Sequence, residues 1–177
     1  MSRCISSDTN IWNDFREVGR LDLPFRLDHR FHIAKMVFQN EMVVPGYFDE
    51  RILEYGLCLV SFSDVEMQCA ESIRLAHPKL SIADGLAYAI AKHRGWTLLT
   101  GDGLLRKVAL DQGVDVRGTL WIIDELQERN AADGPELLQV CEAMLRMVHA
   151  RILRLPIHEL QERAVRFRKE IASPADS

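Results

Sequence analysis

Ser81-Ile-Ala-Asp84-Gly-Leu86-Ala-Tyr88-Ala-Ile90-Ala-Lys-His-Arg94-Gly95-Trp96-Thr-Leu-Leu99-Thr100-Gly-Asp102-Gly103 is the stretch that decides the fold. Ser81 with Asp84 opens a helix, Ile82, Leu86, Ala89 and Ile90 recur on one apolar face, and Gly95 ends it. Trp96 to Leu99 reads as a strand, Thr100 to Gly103 as a tight loop, and Leu104 to Gln112 as the next helix. Helix, strand, loop and helix in so short a span is the rhythm of a parallel sheet with crossover helices.

The same rhythm extends in both directions. Arg3 to Ser7 reads as a strand by position, and Asp8 caps a helix carrying Ile11, Trp12 and Phe15. Phe31 to Ile33 leads into a helix over Lys35 to Glu41, where i,i+4 spacing puts Val37 and Glu41 on one face. Pro45-Gly46 breaks the pattern, a short helix ends at Tyr55-Gly56, and Leu57 to Phe62 reads as a strand. Ser63 with Glu66 forms a capping box, followed by Val65, Cys69, Ile73 and Ala76 at helical intervals. Val114 to Val116 supplies the last strand. Beyond Gly118 only helices follow, over Thr119 to Arg129, Glu136 to about Leu153 and Pro156 to Ile171. Their expected apolar stripes are Leu137, Cys141, Leu145, Val148 and Ile152, and then Ile157, Leu160, Ala164, Phe167 and Ile171. These readings predict an α/β domain over 1–130, a helical extension packed on it over 131–172 and a disordered tail over 173–177.

Composition narrows the function. A chain of 177 residues with 47% hydrophobic content can bury a real core. It shows no signal-peptide run and no membrane-length apolar stretch, which predicts a soluble cytoplasmic protein. Cys4, Cys58, Cys69 and Cys141 form no C-x-x-C pair, so reduced, mostly buried thiols are expected. His29 and His32 lack the partner pair that would complete a metal site. A net charge of −4 argues against coating nucleic acid by charge alone, yet it is compatible with a nuclease whose acids hold metal. There is no Walker-type loop, and Gly101-Asp-Gly103 is too short for a dinucleotide fingerprint.

Four acids stand where a predicted strand gives way to a helix or loop: Asp8, Glu41, Asp84 and Asp102. Each has a bland explanation as an N-cap, a solvated helix residue, a capping-box member or a turn former. Together they share the rim where parallel α/β sheets bind ligands, a coincidence that capping does not predict. Crowded carboxylates repel unless a cation stands between them, and Mg²⁺ or Mn²⁺ with oxygen ligands and bound water suits phosphodiester hydrolysis. A phosphatase using an aspartyl-phosphate would need a second aspartate two residues after the first, where this chain has Asn10.

Asp8-Thr9-Asn10 after an N-terminal strand, Glu41 in Val37-Phe-Gln-Asn-Glu41, Leu80-Ser-Ile-Ala-Asp84, Thr100-Gly-Asp102 and Val114-Asp-Val-Arg-Gly-Thr-Leu120 together resemble the PIN-domain family, in the flavour of prokaryotic VapC-type ribonucleases. The resemblance implies a three-layer α/β/α fold with a central parallel sheet, and a nuclease domain over 1–130. It also implies endonucleolytic cleavage of RNA at a Mg²⁺ or Mn²⁺ site of Asp8, Glu41, Asp84 and Asp102, supported by Asn10 and Thr100. Asp8 and Asp84 are the direct ligands on this reading, with Glu41 and Asp102 acting partly through water. Many relatives carry a proline before the helix that holds the second acid, where this chain has Ala34-Lys35.

A toxin of a toxin–antitoxin pair, working as a homodimer with an antitoxin partner, follows from the same resemblance. The alternatives are a non-toxin RNA-processing nuclease and a catalytically idle module that binds RNA or protein. Arg16, Arg106 and Lys107 are candidates to hold substrate phosphates, and Trp12 to stack on a base, against solvated and core roles respectively. Arg163, Arg166, Arg168 and Lys169 alternate with Glu159, Glu162 and Glu170, which predicts ion pairs along one helix.

Overall fold

Cys4–Ser7 forms strand β1, the centre of the sheet in a computed structural model that describes residues 1–43 and 51–172. The expected break at Pro45-Gly46 and the tail over 173–177 lie outside the described residues. On one side β1 pairs with β2 (Arg30–Ala34), and β2 with β3 (Cys58–Val60). On the other it pairs with β4 (Thr97–Leu99), and β4 with β5 (Val116–Arg117). All pairs are parallel and the order is β3-β2-β1-β4-β5, the central sheet of a three-layer α/β/α fold. The chain therefore builds outward from β1 to β3, returns across the sheet, and builds outward again through β4 and β5. The reversal falls between β1 and β4.

β1 is half serine, yet wholly internal at its end, because each hydroxyl has a partner. Ser6 donates to the Ala87 carbonyl at 2.9 Å, and Ser7 donates to the His32 carbonyl at 3.0 Å while accepting from Trp12 Nε1 at 2.9 Å. Around the sheet come α1 (Asn10–Glu17), α2 (Lys35–Val37), α3 (Arg51–Tyr55), α4 (Asp64–Ala76), α5 (Ile82–Arg94) and α6 (Gly103–Asp111). Helix α5 is buried on most sides from Ala83 to Ala91, reaching β1 through Ser6 and facing α4 through Gly85. A Cβ on Gly85 would stand 2.7 Å from the Ala70 carbonyl oxygen, so glycine is what lets the two helices approach this closely.

Several expectations needed revision. Lys35 to Glu41 is not one α-helix: α2 ends at Val37 and a π-helical turn follows over Phe38–Met42, closed by the Val43 amide on the Phe38 carbonyl at 3.2 Å. The wider turn breaks the i,i+4 relation between Val37 and Glu41. Of the stripe expected on α4, Cys69 and Ile73 are partly buried against the core, whereas Val65 and Ala76 are exposed and Glu66 and Ala70 are the buried residues of the helix. Glu66 is held there by Arg94, with Nε donating at 2.7 Å. The last strand sits slightly later than predicted. Among the cysteines only Cys141 is fully buried, and Cys58 is exposed on the edge strand.

The described chain divides into two compact units, Met1–Trp12 with Asp28–Gly118, and Asn13–Leu27 with Thr119 onward. Residue 130 lies within the second of these units. That second unit holds α7 (Thr119–Glu128), α8 (Gly134–His149) and α9 (Ile157–Ala172). The inner stripe of α8 is Leu137, Val140, Cys141 and Met144; Leu145 and Val148 of the expected stripe are half-buried, and Ile152 lies past the helix end and is exposed. On α9, Leu160, Ala164 and Phe167 are buried as expected, whereas Ile157 and Ile171 are exposed. Among the described residues the ion pairs of the α9 arginines run to other helices, and within α9 Arg163 donates only to the Glu159 carbonyl. Arg163 and Arg166 both donate to Asp124 of α7, and Arg168 to Glu142 of α8, so these charges pin helix to helix.

Candidate functional site

The C-terminal ends of β1 and β4 lie side by side at the reversal in strand order, the place where parallel α/β sheets form a ligand crevice. Ser7 is in register with Leu99, and the Asp8 amide donates to the Leu99 carbonyl at 3.1 Å. Strand pairing therefore sets Asp8 beside Thr100. The Thr100 hydroxyl donates to Asp8 Oδ2 at 2.5 Å and accepts from the Asp102 amide at 3.0 Å, so one buried threonine spaces the two acids.

Asp8 is 2% exposed. Its Oδ1 accepts from the amides of Asn10 at 3.0 Å and Ile11 at 3.3 Å, which starts α1 as the sequence predicts. Burial pushes its carboxyl from an ordinary 3.8 up to about 7, against the pull of the Thr100 hydroxyl and the two amides, and the charge of Asp84 adds to the push. Asp84 stands at the start of α5 in a capping box, its Oδ2 accepting from the Ser81 amide at 2.8 Å and the Ser81 hydroxyl at 2.9 Å. Asp84 therefore caps α5 through Oδ2, as its spacing from Ser81 predicts.

The other two acids are fixed differently. Asp102 caps α6, its Oδ1 accepting from the Leu105 amide at 2.7 Å. Glu41 accepts from the Thr9 hydroxyl at 2.9 Å. Nothing in the sequence reading singled out Thr9; its signal was only a hydroxyl beside Asp8. Among the described residues none of these four acids forms an ion pair, whereas Asp22, Glu66, Asp115, Asp124 and Glu136 each meet a guanidinium.

Cation fit follows from the lone pairs. Two amides fill Oδ1 of Asp8 and one hydroxyl takes part of Oδ2, leaving a lone pair there, while Asp84 keeps Oδ1 clear of protein donors among the described residues. Mg²⁺ binds through one or two carboxylates and keeps most of its water, so Asp8 with Asp84 suits it. Among the described residues no group of three or more His, Cys, Asp or Glu side chains is placed to hold a metal together. The four acids thus frame the rim without forming one dense cage.

The remaining candidates separate cleanly. Arg106 Nη2 donates to the Thr100 carbonyl at 3.3 Å, which sets a cation beside the site, and Lys107 next to it is exposed. The guanidinium rests on Gly118, where a Cβ would stand 2.6 Å from Nη2. Arg16 lies in the second unit and bonds Glu17 at 2.6 Å. Trp12 is fully buried, edge-on to Phe31 at 5.5 Å, and has no face for a base. His29 Nδ1 accepts from the Arg3 amide, and the His32 ring meets the Ile5 carbonyl and Trp96, so both histidines are structural. Among the described residues no helix is long and apolar enough to cross a membrane.

Comparison with known families agrees with the geometry. A family model described as a PIN domain matches residues 4–164, through α8 and into α9. The match therefore takes in α7, α8 and the first half of α9. No curated protein and no solved structure gives a significant match.

Proposed function

The chain belongs to the PIN-domain family, a nuclease-type fold, and from that premise we propose that it is a divalent-metal-dependent endoribonuclease hydrolysing RNA phosphodiester bonds. The observation that carries the reading is a rim of carboxylates left free of guanidinium and ammonium groups at the strand-order reversal, with Asp84 acting on a buried Asp8. Leaving acids unpaired so close together is costly unless a cation joins them.

In this reading Asp8 and Asp84 hold Mg²⁺ or Mn²⁺ directly, and Glu41 and Asp102 reach it through water. Such an ion, when bound, supplies a water of lowered pKa and relieves charge on the reacting phosphate. The protein's own groups do the positioning. Thr100 fixes the rotamer of Asp8 through Oδ2, Ser81 fixes Asp84, and Asn10 supports Asp8 through its backbone amide on Oδ1. Arg106 and Lys107 receive the phosphates that flank the scissile bond. The biological role that goes with this reading is the toxin of a toxin–antitoxin pair, acting as a homodimer in the cytoplasm.

The test is cleavage of RNA by the purified chain with Mg²⁺ or Mn²⁺. Wild type cleaves, and Asp8→Asn and Asp84→Asn do not, although both keep the wild-type circular dichroism spectrum. Equal cleavage by all three would reject the reading. The absence of a three-acid group among the described residues favours a second reading, a catalytically idle module that binds RNA or protein. Calorimetry with Mn²⁺ separates the two, since the idle module takes up no heat. A neighbouring gene whose product silences the toxicity of the expressed chain distinguishes a toxin from an RNA-processing enzyme.

A further inference from the structure

Glu41 is the acid whose local backbone is least regular. It sits in the π-helical turn Phe38–Met42, which buries Phe38 and Met42 and leaves Glu41 half-buried. A π-turn carries an extra residue, gives up regular hydrogen bonding, and recurs at functional sites. Its effect here is to turn Glu41 away from the face it would share with Val37 in an α-helix. The carboxylate then meets Thr9, 32 residues earlier in the chain and next to Asp8, through a 2.9 Å hydrogen bond.

The chemistry of that partner is informative. A carboxylate placed near Asp8 and Asp84 is driven outward by their charge unless something holds it. A lysine or arginine would hold it, but would also neutralise it and compete with a bound cation. A hydroxyl holds the anion and leaves its charge intact. Among the described residues Glu41 has no cationic partner, and Thr9 sits on the turn that also starts α1 from Asp8.

We infer that Thr9 is the positioning residue for Glu41, its hydroxyl fixing on the acidic rim a carboxylate that the π-turn has swung toward it. The inference rests on the nuclease reading above and adds a residue to it. Thr9 touches neither substrate nor cation; it acts through Glu41.

The experiment compares wild type, Thr9→Val, Thr9→Ser, Glu41→Gln and the Thr9→Val/Glu41→Gln double variant, reading RNA cleavage and Mn²⁺ affinity by electron paramagnetic resonance. Thr9→Val is nearly isosteric, and thermal melting checks its fold. It is expected to lose about 10-fold in kcat or Mn²⁺ affinity, the usual effect of removing a hydrogen bond that orients a ligand. Thr9→Ser restores it. The double variant is no worse than Glu41→Gln alone, a non-additivity that a merely structural threonine would not produce. If Thr9→Val matches wild type in both readouts while Glu41→Gln is defective, the inference is wrong and the nuclease reading stands. If wild type neither cleaves RNA nor binds Mn²⁺, both fall.

Discussion

The Thr100 hydroxyl donates to Asp8 Oδ2 at 2.5 Å, joining residues 92 positions apart at the ends of neighbouring strands. Thr100 Oγ1 in turn accepts from the Asp102 amide, so the bond has a fixed direction: Thr100 must give its proton to Asp8. Thr100→Val removes that donor while keeping the shape. The Asp8 carboxyl then rises further, and Mn²⁺ affinity and cleavage fall by about 10- to 100-fold. Thr100→Ser recovers most of both. A valine variant with undiminished Mn²⁺ binding would show that the bond does not orient Asp8.

Asp14, 9% exposed, accepts a hydrogen bond from Thr119 at 2.5 Å, and burial pushes its carboxyl up to about 6 despite that bond. The folded chain keeps this proton to about pH 6, whereas the unfolded chain sheds it near 3.8. The folded state binds more protons between those values, so stability falls as pH climbs through the window. Asp14→Asn flattens this slope, by on the order of 2 kcal/mol between about pH 4 and about pH 7. Buried His32 tilts stability the opposite way in both chains, so the difference between them isolates Asp14. Urea unfolding curves with the same pH slope for variant and wild type would refute this.

Gly118 makes room for the Arg106 guanidinium. Gly118→Ala pushes only the far end of a flexible side chain, so its effect on melting is small. The displaced Arg106 loses its bond to the Thr100 carbonyl and its place by the site. RNA binding, measured by filter retention in an Asp8→Asn background, weakens by about 10-fold, the scale of one charge-assisted phosphate contact. Arg106→Ala gives a similar loss and a shallower salt dependence. Unchanged RNA affinity in both would remove Arg106 from the substrate path.

Gly85 is a packing test. Alanine there would bring a Cβ to 2.7 Å from the Ala70 carbonyl, a backbone atom that cannot swing aside. α4 and α5 must separate, at a cost of about 1–3 kcal/mol in chemical denaturation. Because α5 carries Asp84, the same variant also loosens Mn²⁺. Wild-type stability would mean that the helices have slack.

The sequence made visible whatever is local. The capping boxes at Ser63 and Ser81 appear where their spacing puts them, and so do the strand after Gly95 and the helix capped by Asp102. What stayed hidden depends on distant partners. A strand reading Cys-Ile-Ser-Ser has weak propensity, and it is central only because Ala87, His32 and Trp12 satisfy its hydroxyls. Periodicity on α4 gave Cys69 and Ile73 but not the deepest residues of its inner face, where Ala70 meets Gly85 of α5. The π-turn at Glu41 could not be read from its own residues, since its partner Thr9 lies in another segment. The arginines of α9 reach acids on α7 and α8, Asp124 and Glu142, which no spacing within α9 itself can show.

The register of Ser7 with Leu99 carries a consequence for biosynthesis. A nascent chain that has not yet reached Thr97 has only one neighbour for β1, and Asp8 lacks both the Leu99 carbonyl that later accepts from its amide and the Thr100 hydroxyl that later donates to its carboxylate. Translation must run past the second half of the sheet before the crevice exists at all. A fragment that stops before Thr97 lacks the second neighbour of β1 and the hydroxyl that meets Asp8, so the order of synthesis itself delays the crevice until the chain has returned to its own first strand.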